Sequence, residues 1–142
     1  PFLPQRIGVI TSPEGAVLQD IVQVLNRRFE NFNLLVYPSA VQGETAAQNL
    51  TRGVNWFTRH PIVDVLILAR GGGSMEDLWT FNEESVARAV AAGEIPVISA
   101  IGHEQDYMLT DMVADLRLPT PTAAGKFFAE LWKQHRNDLK DW

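Results

Sequence analysis

Cysteine is absent from the sequence, which excludes disulfides, thiol nucleophiles and cysteine-held metal centres. That absence is compatible with a reducing compartment, and a cytoplasmic location is the expectation. No apolar run approaches the ~20 residues of a membrane span, and no basic-then-apolar leader opens the chain. Basic residues are in short supply as well: 12 Lys and Arg stand against 17 Asp and Glu, for a net charge of −5. A module that held nucleic acid across its surface would carry a basic face. Any such role here requires positive charge gathered in a cleft, or a second domain that does the holding. The chain opens on Pro1 without an initiator methionine and stops at Trp142 inside a helical pattern, so it reads as a piece of a longer protein.

What is present is an ordinary globular balance, 46% hydrophobic and 20% charged over 142 residues, enough for one domain with a real core. Ile7-Gly8-Val9-Ile10 is a short apolar run of the kind a buried strand shows. Thr11-Ser12-Pro13-Glu14 then signals a helix start, with Ser12 as cap, Pro13 at the first helical position and Glu14 complementing the dipole. Val17, Ile21, Val24 and Leu25 carry that helix to about Phe29. A second strand, Leu34 to Tyr37, stops at Pro38, and a second helix opens at Gly43 and closes before Pro61. Val63 to Ala69 is a third strand. A helical stretch follows from about Asn82 to Ala92, then a fourth strand from Ile95 to Ala100, and a fourth helix from Gly102 to about Asp115.

Strand and helix alternating four times predict an α/β fold, a parallel sheet of about four strands with helices on both faces. The flavodoxin-like order 2-1-3-4 is the expected one. Residues 1–118 form this domain in the sequence reading. Residues 119–142 form a C-terminal helix whose stripe, Phe127, Phe128, Leu131, His135, Leu139 and Trp142, needs a partner. It either packs on the domain or begins a longer helical or coiled-coil region, and the second reading is preferred because the pattern is cut while still running.

In a parallel α/β sheet the loops after the strands gather at one edge, where ligands bind. Those loops are TSPEG, PSAVQG, RGGGS and AIGHEQD, and they collect the glycine-rich and polar oddities of the sequence. The opposite loops, ENFN and RHPIVD, are bland. In RGGGS, three consecutive glycines let several N–H groups face one anion, and Arg70 adds a forked charge suited to phosphate oxygens. The phosphate-binding set is therefore Gly71, Gly72, Gly73 and Ser74, joined by Ser12 of the first loop. No Lys-Ser/Thr follows as in a Walker loop, and the pattern is not the dinucleotide GxGxxG. In GHEQD, Asp106 stands three residues after His103, a spacing that lets a carboxylate orient an imidazole moving protons near neutral pH. The plain alternatives are a flexible turn for the glycines and a strand-end cap for His103. Asp20, in the second turn of the first helix, is compatible with either a solvent-facing or a functional place. Asp77, Asp111 and Asp115 read as helix caps or surface acids, and His60 and His135 as structural. No tight spacing of acids declares a metal site.

IGVITSPEGAVLQDI, YPSAVQG, LARGGGSMEDLWTFNEE and PVISAIGHEQD followed by DMVADLRLPTPTAA together resemble the large subunit of bacterial exodeoxyribonuclease VII, over about Ile7 to Ala124. The resemblance implies a hydrolase that cuts single-stranded DNA from both the 5′ and 3′ ends, releasing 5′-phosphate oligonucleotides and nucleotides. It implies that Asp20, Arg70, His103 and Asp106 are catalytic, which raises Asp20 above what its spacing supports. It also implies an OB-fold domain ahead of this one, several small helical subunits bound to a C-terminal region, and scope for self-association of the large subunit. Divalent metal is not always required in this family, so magnesium is compatible but no ligands are assigned. Gln105 departs from the threonine common there. Which of His103 and Asp20 acts as acid or base stays open, as do two rival readings: a non-catalytic nucleotide- or phosphate-binding domain, and a scaffold for partners.

Overall fold

The computed structural model describes residues 4–12, 17–28, 33–39, 45–70, 79–101, 108–118 and 120–140. Its centre is β3 (Val65–Ala69), in which every residue is buried. β1 (Arg6–Thr11) pairs with it in parallel, and β2 (Asn33–Pro38) pairs in parallel with the other side of β1. β4 (Val97–Ala100) flanks β3, again in parallel. The order 2-1-3-4 expected from the sequence is the observed one, extended by a fifth parallel strand, β5 (Leu116–Arg117), which the sequence reading did not include.

Alternation along the strands divides the core into two layers. Ile7 and Val9 of β1 and Val65 and Ile67 of β3 face one side, where Ile21 and Leu25 cover them from α1 (Val17–Arg28). Ile10, Leu66 and Leu68 face the other, beneath Leu50, Val54 and Phe57 of α2 (Ala46–Arg59) and Val86 and Val90 of α3 (Glu84–Ala92). The helix expected from about Asn82 is in fact two pieces, a 3-10 turn over Trp79–Asn82 and then α3. Glu83 is extended at φ −74° and ψ 134°, so the chain restarts its helical winding there. Gly43, the expected opening of the second helix, lies outside the described residues, and α2 itself is described from Ala46.

The expected fourth helix is shorter as well. The described part, α4 (Leu109–Val113), ends at Ala114, which is extended at ψ 153° and feeds β5. Asp115 is thus beyond the helix, with its N–H bonded to the Val97 carbonyl at 2.9 Å. The last helix, α5 (Pro121–Lys140), packs along α1 and over the same face of the sheet. Ala124 and Phe128 are fully buried there, with Phe127 and Leu131 against them. The first half of the C-terminal stripe therefore finds its partner in the domain.

Candidate active site

All the strand-to-helix loops leave one edge of the sheet, because the strands are parallel. At that edge the ladder runs one residue past β2 and β3: Ser39 N–H donates to the Thr11 carbonyl at 2.9 Å, and Arg70 N–H to the Ala100 carbonyl at 3.2 Å. The consequence is a row of strand ends held side by side, Thr11 and Ser12, Ser39, Arg70 and Ile101, each opening a loop. Apolar strands here end in buried polar groups: Thr11, Ser39 and Arg70 are 1%, 3% and 3% exposed. Taking a guanidinium out of water costs several kcal/mol unless it is paired, and Arg70 engages other groups of the fold.

Arg70 continues the row of Leu66 and Leu68, so it belongs to the α2 and α3 side of the sheet. Asp20 is exposed in the first turn of α1, on the opposite side. Its carboxylate complements the helix dipole there, and α1 begins where the loop after β1 ends. Ser12, half-buried, engages other groups of the fold at the start of that loop. The structure thus brings Ser12 and Arg70 to one edge, with Asp20 on the helix that follows the first loop. Gly71, Gly72, Gly73, Ser74, His103 and Asp106 lie outside the described residues.

What is described are the chain segments that bracket them. The segment after Arg70 re-enters at Trp79, and the one after Ile101 re-enters at Met108. These two re-entry points are tied together. Thr110 Oγ1 donates to the Phe81 carbonyl at 2.5 Å, and Leu109 N–H donates to Asn82 Oδ1 at 3.0 Å. Asp111 is buried beside them and does more than the surface or capping role its sequence context predicts. One carboxylate oxygen accepts from Met108 N–H at 2.9 Å, a cap on α4, while the other accepts from Ser99 Oγ at 2.6 Å. Arg117 Nε of β5 stands 3.6 Å away, giving the carboxylate a cationic neighbour. The signal for this cluster in the sequence is Ser99 itself: a hydroxyl in a wholly buried strand, VISA, must find a partner.

The remaining described polar residues serve the scaffold. Asp115 Oδ2 accepts from Val97 N–H at 2.7 Å and Asp64 Oδ2 from the N–H groups of Gln5 and Arg6, both at 2.9 Å, at the start of strands rather than their ends. His60 caps α2, its Nδ1 bonded to the Trp56 carbonyl at 2.9 Å and its ring stacked on Trp56 at 4.6 Å, the structural place expected for it. An apolar hollow bordered by Pro4, Pro96, Leu116, Phe127 and Leu131 also lies toward the strand starts, where it has little to offer a phosphate. Among the described residues no group of three or more His, Asp or Glu side chains converges as a metal site would require.

The family model for the exonuclease VII large subunit matches residues 1–142. The chain belongs to that family. Among exonuclease VII large subunits, it is 53% identical over 142 residues to the exodeoxyribonuclease 7 large subunit of Chlamydia felis, covering 100% of this chain and 26% of that protein. The corresponding figures are 56% over 139 residues for Geobacter sulfurreducens and 58% over 139 residues for Geobacter metallireducens, each covering 98% of this chain and 30% of the relative. The chain therefore spans about a quarter to a third of the length of the curated large subunits it matches. The resemblance read from the sequence motifs and the family found by comparison agree.

Proposed function

We propose that this chain is the catalytic domain of an exodeoxyribonuclease VII large subunit, hydrolysing phosphodiester bonds of single-stranded DNA from both ends to leave 5′-phosphates. The observation that carries the reading is Arg70, a buried guanidinium where an apolar strand meets a triple-glycine loop, at the edge of the sheet where ligands bind. Membership of the family supplies the reaction class.

Hydrolysis adds water to phosphorus and breaks the P–O3′ bond, so a proton must leave the water and another must reach the departing 3′-oxygen. In this reading Arg70 and the N–H groups of Gly71, Gly72, Gly73 and Ser74 hold the scissile phosphate, with Ser12, and stabilise charge developing on its oxygens. His103 moves the proton and Asp106 fixes its tautomer. Asp20 is the complementary acid or base, or a ligand if magnesium takes part. The chain's acidic balance assigns strand-holding to a preceding OB-fold domain, which offers stacking and a basic groove. The region that residues 119–142 begin recruits the small subunits, and the complex works in the cytoplasm.

The test is degradation of end-labelled single-stranded DNA by the full-length large subunit with its small subunit, in EDTA and in magnesium, for wild type and His103→Ala. A loss of about a hundredfold or more in the folded variant supports the assignment. Cleavage by the variant at near wild-type rate would sink it. Wild-type activity in magnesium alone moves Asp20 and Asp106 toward metal ligation.

A further inference from the structure

We infer that Asp111 is a positioning residue for the candidate site, the centre of an anchor that fixes both segments carrying its chemistry. Each of those segments is pinned at entry and at exit by hydrogen bonds among described residues. At entry, Arg70 N–H bonds the Ala100 carbonyl at 3.2 Å, setting the two strand ends side by side. At exit, Thr110 Oγ1 and Leu109 N–H reach Phe81 and Asn82 across the same short helix. Asp111 closes the arrangement. It holds Met108, the exit of the second segment, and Ser99, two residues before that segment's entry at Ile101, with the two oxygens of one carboxylate. The span between Ile101 and Met108 carries His103 and Asp106 in the sequence; the span between Arg70 and Trp79 carries the glycines.

The chemistry of the anchor fits a positioning task. α4 is only five residues long, too short to hold itself by helical hydrogen bonds. Its orientation is therefore set by what its side chains grip. A carboxylate that accepts a hydroxyl and an N–H at 2.6 and 2.9 Å, with a cation at 3.6 Å, makes charge-assisted bonds that are short and directional. Burial makes them strong and their loss costly. Catalysis by aligned groups is sensitive to displacements near 1 Å, even from substitutions away from the reacting atoms. An anchor joining two adjacent segments removes that freedom in both.

The inference rests on the proposed hydrolase reading only in what it says about rate; the anchoring can be read without catalysis. Ser99→Ala and Thr110→Val are the variants, with Thr110→Ser as the conservative counterpart and Asp111→Asn as a third. Each is made in the full-length large subunit with its small subunit. Steady-state cleavage of single-stranded DNA gives kcat and KM, and amide hydrogen exchange reports residues 102–107 beside β1 and β3. The expected result is a fall in kcat of about tenfold or more with KM within about twofold, faster exchange confined to 102–107 and its flanks, and recovery in Thr110→Ser. Unchanged kcat with unchanged exchange overturns the inference. So does faster exchange spread evenly through β1 and β3, the sign of general loosening. If Thr110→Val fails to fold, Ser99→Ala carries the test alone. If the wild-type complex does not cleave DNA, or His103→Ala leaves cleavage intact, the hydrolase reading fails, and the exchange of 102–107 still decides whether the anchor exists.

Discussion

Asp64 and Arg6 are joined at the start of the sheet: Arg6 N–H donates to Asp64 Oδ2 at 2.9 Å, and Gln5 N–H donates to the same oxygen at the same distance. Arg6 returns the tie through its carbonyl, which accepts from Asp64 N–H at 2.8 Å. The residue just before β3 thereby fixes the first residue of β1, and with it the register of the two central strands.

The pair makes a prediction about acid. The bonds from the Arg6 and Gln5 N–H groups hold the Asp64 carboxyl below its ordinary value of 3.8, against a smaller opposing effect of burial and with help from the Arg6 charge. A carboxyl whose folded value is depressed contributes stability above its unfolded value and loses it as pH falls through the folded value. Asp64→Asn is therefore expected to lower the melting temperature at neutral pH. The gap from wild type should narrow once pH drops below 3.8. Thermal melts across that range check it, and a gap independent of pH counts against the ionic role.

Gly125 predicts how closely α5 must lie on α1. A Cβ added there would stand 3.0 Å from Val24 Cβ, an atom attached directly to the α1 backbone that cannot swing aside. Gly125→Val forces the helices apart and places a β-branched residue within a helix, at an expected cost of about 2 kcal/mol or more. Urea denaturation measures this. A neutral effect would mean that the helices separate without disturbing the layer of Ala124 and Phe128 beneath them.

The parts of the molecule legible in the sequence are those that repeat. Val65 to Ala69 announces a buried central strand by being apolar throughout, and the helices on each side show their stripes. β5 escaped notice because Leu116 and Arg117 are two residues, too few for any periodicity. The edge that gathers Ser12, Ser39 and Arg70 follows from topology alone once the strands are parallel. Asp111 did not follow, because a single acid on a short helix is indistinguishable from a surface cap until Ser99 and Arg117 are brought to it from other strands. Local pattern reports local structure; contacts between β4, β5 and α4 are set by the tertiary fold.

Arg70 carries the reading of the site, and its substitution is the most direct measurement. End-labelled single-stranded DNA would be offered to the full-length large subunit with its small subunit, as wild type, Arg70→Lys and Arg70→Ala, with folding verified by circular dichroism. A guanidinium that holds the scissile phosphate by a forked pair of bonds predicts a loss of about a hundredfold or more in Arg70→Ala, only partly recovered by the point charge of lysine. A folded Arg70→Ala enzyme that releases nucleotides at near wild-type rate would contradict the assignment of phosphate binding to this end of the sheet.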